Sequence, residues 1–110
     1  MATLAAQKII RTAPGIEQVL SVAAGGGDEF VNTGKEFIII ANDDVSSMVL
    51  TIVTTATVDG FAVTDYTATI PANKTHVIGP FLIGTYNDAN SKVQMTYSAV
   101  TSLTIGIFSI

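Results

Sequence analysis

Val93-Gln94-Met95-Thr96-Tyr97-Ser98-Ala99-Val100-Thr101-Ser102-Leu103-Thr104-Ile105-Gly106-Ile107-Phe108-Ser109-Ile110 is the stretch that decides the fold of this chain. It holds no charge, yet Val93, Met95 and Tyr97 alternate with Gln94, Thr96 and Ser98. Further on, Leu103, Ile105 and Ile107 alternate with Thr104, Gly106 and Phe108. A period of two is that of a strand with one buried face. So apolar a run would otherwise suggest a membrane span, and the alternation reads instead as two strands of a β-domain. Phe108 and Ile110 make the second face of the last strand apolar as well, available to a sheet or a neighbour.

Working outward, the same pattern recurs between turn signals. Ser47–Thr55 places Met48, Leu50 and Ile52 on one face, and Asp65–Ile70 does the same with Tyr66, Ala68 and Ile70. Phe37-Ile38-Ile39-Ile40 is apolar on both faces, as in a strand covered on two sides. Thr75–Ile78 is a further short strand, stopped by Gly79-Pro80. Glu17–Ala24 reads as the first strand, ended by Gly25-Gly26-Gly27-Asp28. Turns are expected at Asn42-Asp43-Asp44, Asp59-Gly60 and Pro71–Lys74, where short polar side chains, glycine and proline favour reversal. Gly84–Ser91 reads as a long polar loop. About seven strands separated by turns predict an all-β fold, a single antiparallel β-sandwich or small barrel over residues 15–110. Residues 1–14 read as an N-terminal arm, a short helix or an extended strap, broken by Ala13-Pro14-Gly15.

The 110 residues suffice for one domain that buries roughly 65% of its unfolded surface. There is no cysteine, which removes disulfides, thiolate metal sites and cysteine nucleophiles. The formal net charge is −4, and Lys8, Arg11, Lys35, Lys74 and Lys92 are scattered, so phosphate backbones are repelled and nucleic acid is not an expected partner. Lys8 and Arg11 interrupt what would be the apolar core of a signal peptide. Charged residues make up 13% and hydrophobic residues 48%, against about 25% charged in ordinary soluble domains. Such a surface suits a subunit that is covered by neighbours, and a trimer or another small symmetric assembly is the expected homo-oligomer.

Catalytic chemistry finds no constellation. His76 is the only histidine, and no nucleophile motif places a serine beside it; it reads as a plain strand residue. The loop acids Asp28, Glu29, Asp43, Asp44 and Asp88 lack the spacing of a calcium loop and read as solvated turns. The triple glycine lacks the Lys-Ser/Thr of a phosphate cradle. Neither an enzyme activity, a cofactor nor a metal is therefore expected. A β-domain that binds carbohydrate or a host surface is the rival reading, for which Tyr86 is the one clear surface aromatic.

With the strands laid out, Met1-Ala2-Thr3-Leu4-Ala5-Ala6-Gln7-Lys8, Glu36-Phe37, Val58-Asp59-Gly60, Ile70-Pro71-Ala72, Ile78-Gly79-Pro80-Phe81, Tyr86-Asn87-Asp88 and Val93–Ser98 together resemble a group of small tailed-bacteriophage virion proteins of the head. The likeness spans most of the chain and rests on turn and packing signatures, with no active-site residue among them. It implies a capsid decoration, or cement, protein, made in the host cytoplasm and placed on the capsid surface of the virion, with the major capsid protein as partner. A head-tail connector or tail structural protein is the alternative that it also implies. Contact residues expected on this reading are Leu4, Ile9 and Ile10 of the arm, Tyr86, Phe108 and Ile110.

Overall fold

Twelve strands and one helical turn follow one another in the computed structural model, which describes residues 2–110. They are β1 (Ala2–Leu4), β2 (Ala6–Lys8), β3 (Ser21–Val22), β4 (Asp28–Val31), β5 (Glu36–Asn42), β6 (Met48–Ile52), β7 (Thr57–Val58), β8 (Phe61–Ala62), β9 (Tyr66–Ile70), β10 (Lys74–Ile78), α1 (Ile83–Tyr86), β11 (Lys92–Tyr97) and β12 (Leu103–Ser109). One sheet has the order β1-β4-β11-β6-β9; the other has the order β10-β5-β12-β2, with β3 also paired to β12. β7 and β8 form a small separate ribbon.

The alternation read from the sequence selects the buried faces. Phe30, Leu50, Ile52, Ile70, Val93 and Met95 come from the first sheet, and Ile38, Ile40, Leu103, Ile105 and Ile107 from the second; all are buried in one shared cluster with Phe81 and Ala23. Each such aliphatic or aromatic side chain contributes roughly 1.5–3 kcal/mol of burial. β5 and β12 pair over seven residues from Leu103↔Asn42 to Ser109↔Glu36 and form the centre of the second sheet.

The all-β expectation holds in a different form from seven antiparallel strands, for the structure has twelve strands and both sheets are mixed. β1 runs parallel to β4, and β2 runs parallel to β12. Both parallel pairings belong to residues expected as an arm. These residues take the extended alternative: the chain lies on one sheet over Ala2–Leu4, passes Ala5, and lies on the other over Ala6–Lys8. Ile9 N–H continues the ladder by donating to Ser109 C=O at 2.8 Å, and the Gln7 amide donates to Val19 C=O at 2.9 Å. Met1 of the expected arm lies outside the described residues.

Two local readings are corrected. The strand expected over Glu17–Ala24 shrinks to Ser21–Val22, the two residues in register with β12 beside the stretch that β2 pairs; Ala23 N–H adds one further bond, to Leu103 C=O at 3.1 Å. The acids expected in a solvated turn at Asp28 and Glu29 instead open β4. Asp28 is fully buried, and its carboxylate accepts from Ala2 N–H (3.2 Å), Ala24 N–H (3.2 Å) and the Tyr97 hydroxyl (2.6 Å). Three donors make its burial tolerable. Burial, followed by the bond to Asp28, holds the Tyr97 phenol above its usual range.

The connections divide the molecule into two ends. At one end lie the short links 23–27, 43–47, 71–73 and 98–102. At the other lie 32–35, the long segments 53–65 and 79–91, the start of 9–20, and the last residue.

Candidate interaction surface

The long-loop end is built around backbone reversals that the sequence specifies. Asp59 and Gly60 both have positive φ, 52° and 82°, so Val58 and Phe61 pair directly across a two-residue hairpin turn. The hairpin carries Val58 and Phe61 outward at 65% and 77% exposure. Beside it, Leu82 and Ile83 at the start of α1 are also exposed.

These loops are wired to one another. Asn32 and Asn87 clasp reciprocally: the Asn32 amide donates to Asn87 Oδ1 at 2.7 Å and to Phe81 C=O at 3.1 Å, and the Asn87 amide donates to Asn32 C=O at 3.0 Å. Thr55 N–H donates to Thr85 C=O at 2.8 Å, and the Thr55 hydroxyl to Asn87 C=O at 2.6 Å. Thr54 N–H donates to the Asp65 carboxylate at 2.9 Å and closes the base of the hairpin. Glu36, nearly buried, accepts from Thr33 N–H at 2.6 Å and so holds the 32–35 link. Apolar side chains therefore stand on loops that these hydrogen bonds tie to one another.

The expected contact residues meet different fates. Ile9, Ile10 and Ile110 are exposed, Ile110 at 76%, and Ile110 N–H donates to Lys35 C=O, which brings the last residue to this same end. Leu4 is half-buried against the core. Tyr86 is half-buried and meets Phe81 edge-on, with ring centroids 5.4 Å apart. Phe108 is not an exposed contact: it is 3% exposed and stacks on Phe37, with centroids 6.0 Å apart. Segment 9–20 folds back over that face of β12, so close that a Cβ on Gly106 would lie 2.8 Å from Leu20. Val58, Phe61, Leu82 and Ile83 were missed by sequence reasoning, although Asp59-Gly60 between two apolar residues signalled the hairpin that displays two of them.

Other features are structural or isolated. His76 is exposed on β10 opposite Ile40. Among the described residues, no three His, Asp or Glu side chains converge as a metal site would require. Among the described residues no helix is long and apolar enough to cross a membrane. A groove of about 340 Å³ separates β2 from β3 along β12, lined by Leu4, Ala5, Gln7, Val19, Ser21 and Ile105 to Ile107. On the outer face of the first sheet, Glu29 accepts from Gln94 (3.0 Å), Thr3 (2.7 Å) and Lys92 (2.9 Å). Those bonds, Gln94 first, lower its pKa from 4.5 to about 2. Asp88 is lowered too, chiefly by the Lys92 backbone N–H and the Gln94 amide.

The arrangement can bind a complementary apolar surface rigidly. Set against known protein families, curated proteins and solved structures, the chain matches none of them.

Proposed function

We propose that this chain is a structural subunit of a tailed-bacteriophage virion, a decoration protein that binds the outer surface of the major capsid protein lattice. The observation that carries the reading is the gathering of exposed apolar side chains at the long-loop end: Ile9, Ile10, Val58, Phe61, Leu82, Ile83 and Ile110. Exposed apolar groups collected at one end mark a contact with another macromolecule, whereas singly scattered ones do not. Their supporting loops are hydrogen-bonded to one another, so little conformational freedom remains to be lost on docking. A lattice offers the same contact many times, which lets each one be modest.

The sequence resemblance to phage head proteins supplies the identity of the partner, and the low charge of the chain agrees with it. A connector or tail subunit would use the same surface against a different virion protein. The test is imaging of phage capsids lacking the protein after incubation with purified wild type and with Phe61→Asp/Leu82→Asp. The expected result is regular extra density with the wild type and its loss with the variant. Absence of density at saturating wild-type protein overturns the capsid reading, and undiminished binding by the folded variant overturns the assignment of the surface.

A further inference from the structure

We propose that β9 is a self-pairing edge, through which two copies of this chain join antiparallel about a twofold axis at Ala68. The first sheet ends at β9, which is hydrogen-bonded on one side only, to β6. The side that remains open follows from the ladder. Ser98 N–H donates to Val49 C=O and Val53 N–H to Gln94 C=O, both at 3.0 Å, so the odd-numbered residues of β6 turn their backbone groups to β11. The even-numbered ones, Met48, Leu50 and Ile52, then face β9 opposite Ile70, Ala68 and Tyr66. Thr67 and Thr69 consequently aim their N–H and C=O groups away from the sheet. Among the described residues no hydrogen bond reaches those four groups.

Edge strands are commonly blunted by charge, proline, a bulge or short length. The other edges of the two sheets follow that rule: β1, β2 and β3 have two or three residues each, and β10 carries Lys74. β9, Tyr66-Thr67-Ala68-Thr69-Ile70, has five residues with no charge, proline or glycine, and four of the five are half or fully exposed.

Its occupant is set by self-complementarity. With Ala68 on the axis, Thr67 faces the partner's Thr69 and Thr69 faces the partner's Thr67. Those are the residues with open backbone groups, so this register forms four hydrogen bonds and leaves none of the four groups unpaired. A one-residue shift would set open groups against closed ones. On the outer face threonine meets threonine, a favourable cross-strand pair, while Ile70 stays buried in its own core. Two chains of net charge −4 would meet along a strip that carries no charge. Asp65, just outside the strip, would lie opposite the partner's Pro71. The two Asp65 carboxylates would then stand about 20 Å apart by strand rise, beyond the roughly 8–10 Å screening length. The inference does not depend on the capsid reading.

A five-residue edge buries less than the roughly 800 Å² per partner of a tight complex, so the pair is expected to form with rising concentration. The experiment is sedimentation equilibrium of the wild type, Thr67→Pro and Thr67→Lys/Thr69→Lys, with circular dichroism as the fold check. The wild type is expected to approach twice the 11.5 kDa chain mass. Each variant should weaken the dimer about tenfold or more, through lost backbone bonds or opposed like charges. Because the chain has no cysteine, Ala68→Cys gives an independent reading: its single thiol lies on the axis and should form an intermolecular disulfide under oxidation. A wild type that stays monomeric at its highest soluble concentration, or forms trimers, overturns the proposal. So does a dimer unaffected by the folded variants, or an Ala68→Cys protein that does not cross-link.

Discussion

The two ends of the double sheet are made from the same strands and are built differently. At the short-turn end, links of three to five residues hold strand tips together, and Val45 is the one large apolar side chain exposed in those links. At the long-loop end the connections extend to thirteen residues, over 53–65 and 79–91, and display Val58, Phe61, Leu82 and Ile83. Short links leave no backbone free to carry contact residues beyond the fold. Long links do so here while held to one another by the Asn32–Asn87 clasp and the Thr55 bonds. The difference teaches that link length decides whether a strand connection can carry exposed apolar side chains beyond the fold.

The sharpest way to break that comparison is a pair of glycine substitutions. Gly27, at the short-turn end, has φ +94°, and an added Cβ would collide with Met95 C=O. Gly27→Ala is expected to remove about 3 kcal/mol or more, because both strain and a backbone clash must be relieved. Gly84, in α1 at the long-loop end, has nothing within 4 Å of an added Cβ. Gly84→Ala should be neutral or add up to about 1 kcal/mol, since it restricts the unfolded chain without strain. Urea unfolding midpoints of both variants check the pair, and equal losses would remove the distinction between the ends.

A smaller contrast is expected from two asparagines. The Asn42 side chain is almost fully buried, and its amide donates to Ser46 (3.0 Å), Ile70 (3.1 Å) and Pro71 (3.3 Å) carbonyls, joining two short turns. Asn42→Ala should cost about 2–3 kcal/mol, as buried carbonyls lose their donor. Asn87→Ala, in a half-buried clasp that water can partly replace, should cost about 1 kcal/mol. Its larger effect should appear as faster hydrogen exchange across 79–91, which would sharpen the view that those bonds hold the display surface rather than the core.

The smallest effect concerns acid. Glu29 has its pKa lowered from 4.5 to about 2 in the folded chain, so its contribution is complete above about pH 4.5 and is lost as the pH falls toward 2. Asp88, lowered from 3.8, adds loss in the same direction. Unfolding midpoints measured across that window should decline for the wild type and decline less for Glu29→Gln. An identical decline in both would show that this surface network is not the acid-sensitive element.

Much of the framework was legible beforehand because strands with one buried face announce themselves by alternation. Met48, Leu50 and Ile52, then Val93 and Met95, then Leu103, Ile105 and Ile107 all point inward as their spacing requires. What escaped reading was set by distant partners. Asp28 looked like a solvated acid beside three glycines, and it is buried because Tyr97, Ala24 and Ala2 converge on it. Phe108 looked like an outward contact, and it is covered because Phe37 and the returning segment 9–20 lie over it. Of the candidate surface, Ile9, Ile10 and Ile110 were named from sequence, whereas Leu82 and Ile83 sat in a stretch with no periodicity to mark them.

By itself, then, the sequence determined the β character, the inward faces and the hairpin turn at Asp59-Gly60, all of which depend on neighbours a few residues away. Tertiary structure alone decided that residues 2–8 cross from one sheet to the other, that the long loops meet at one end, and that β9 is left with an open side. Those outcomes depend on pairings between segments as far apart as Ala6 and Ile107, whose energies no local pattern records.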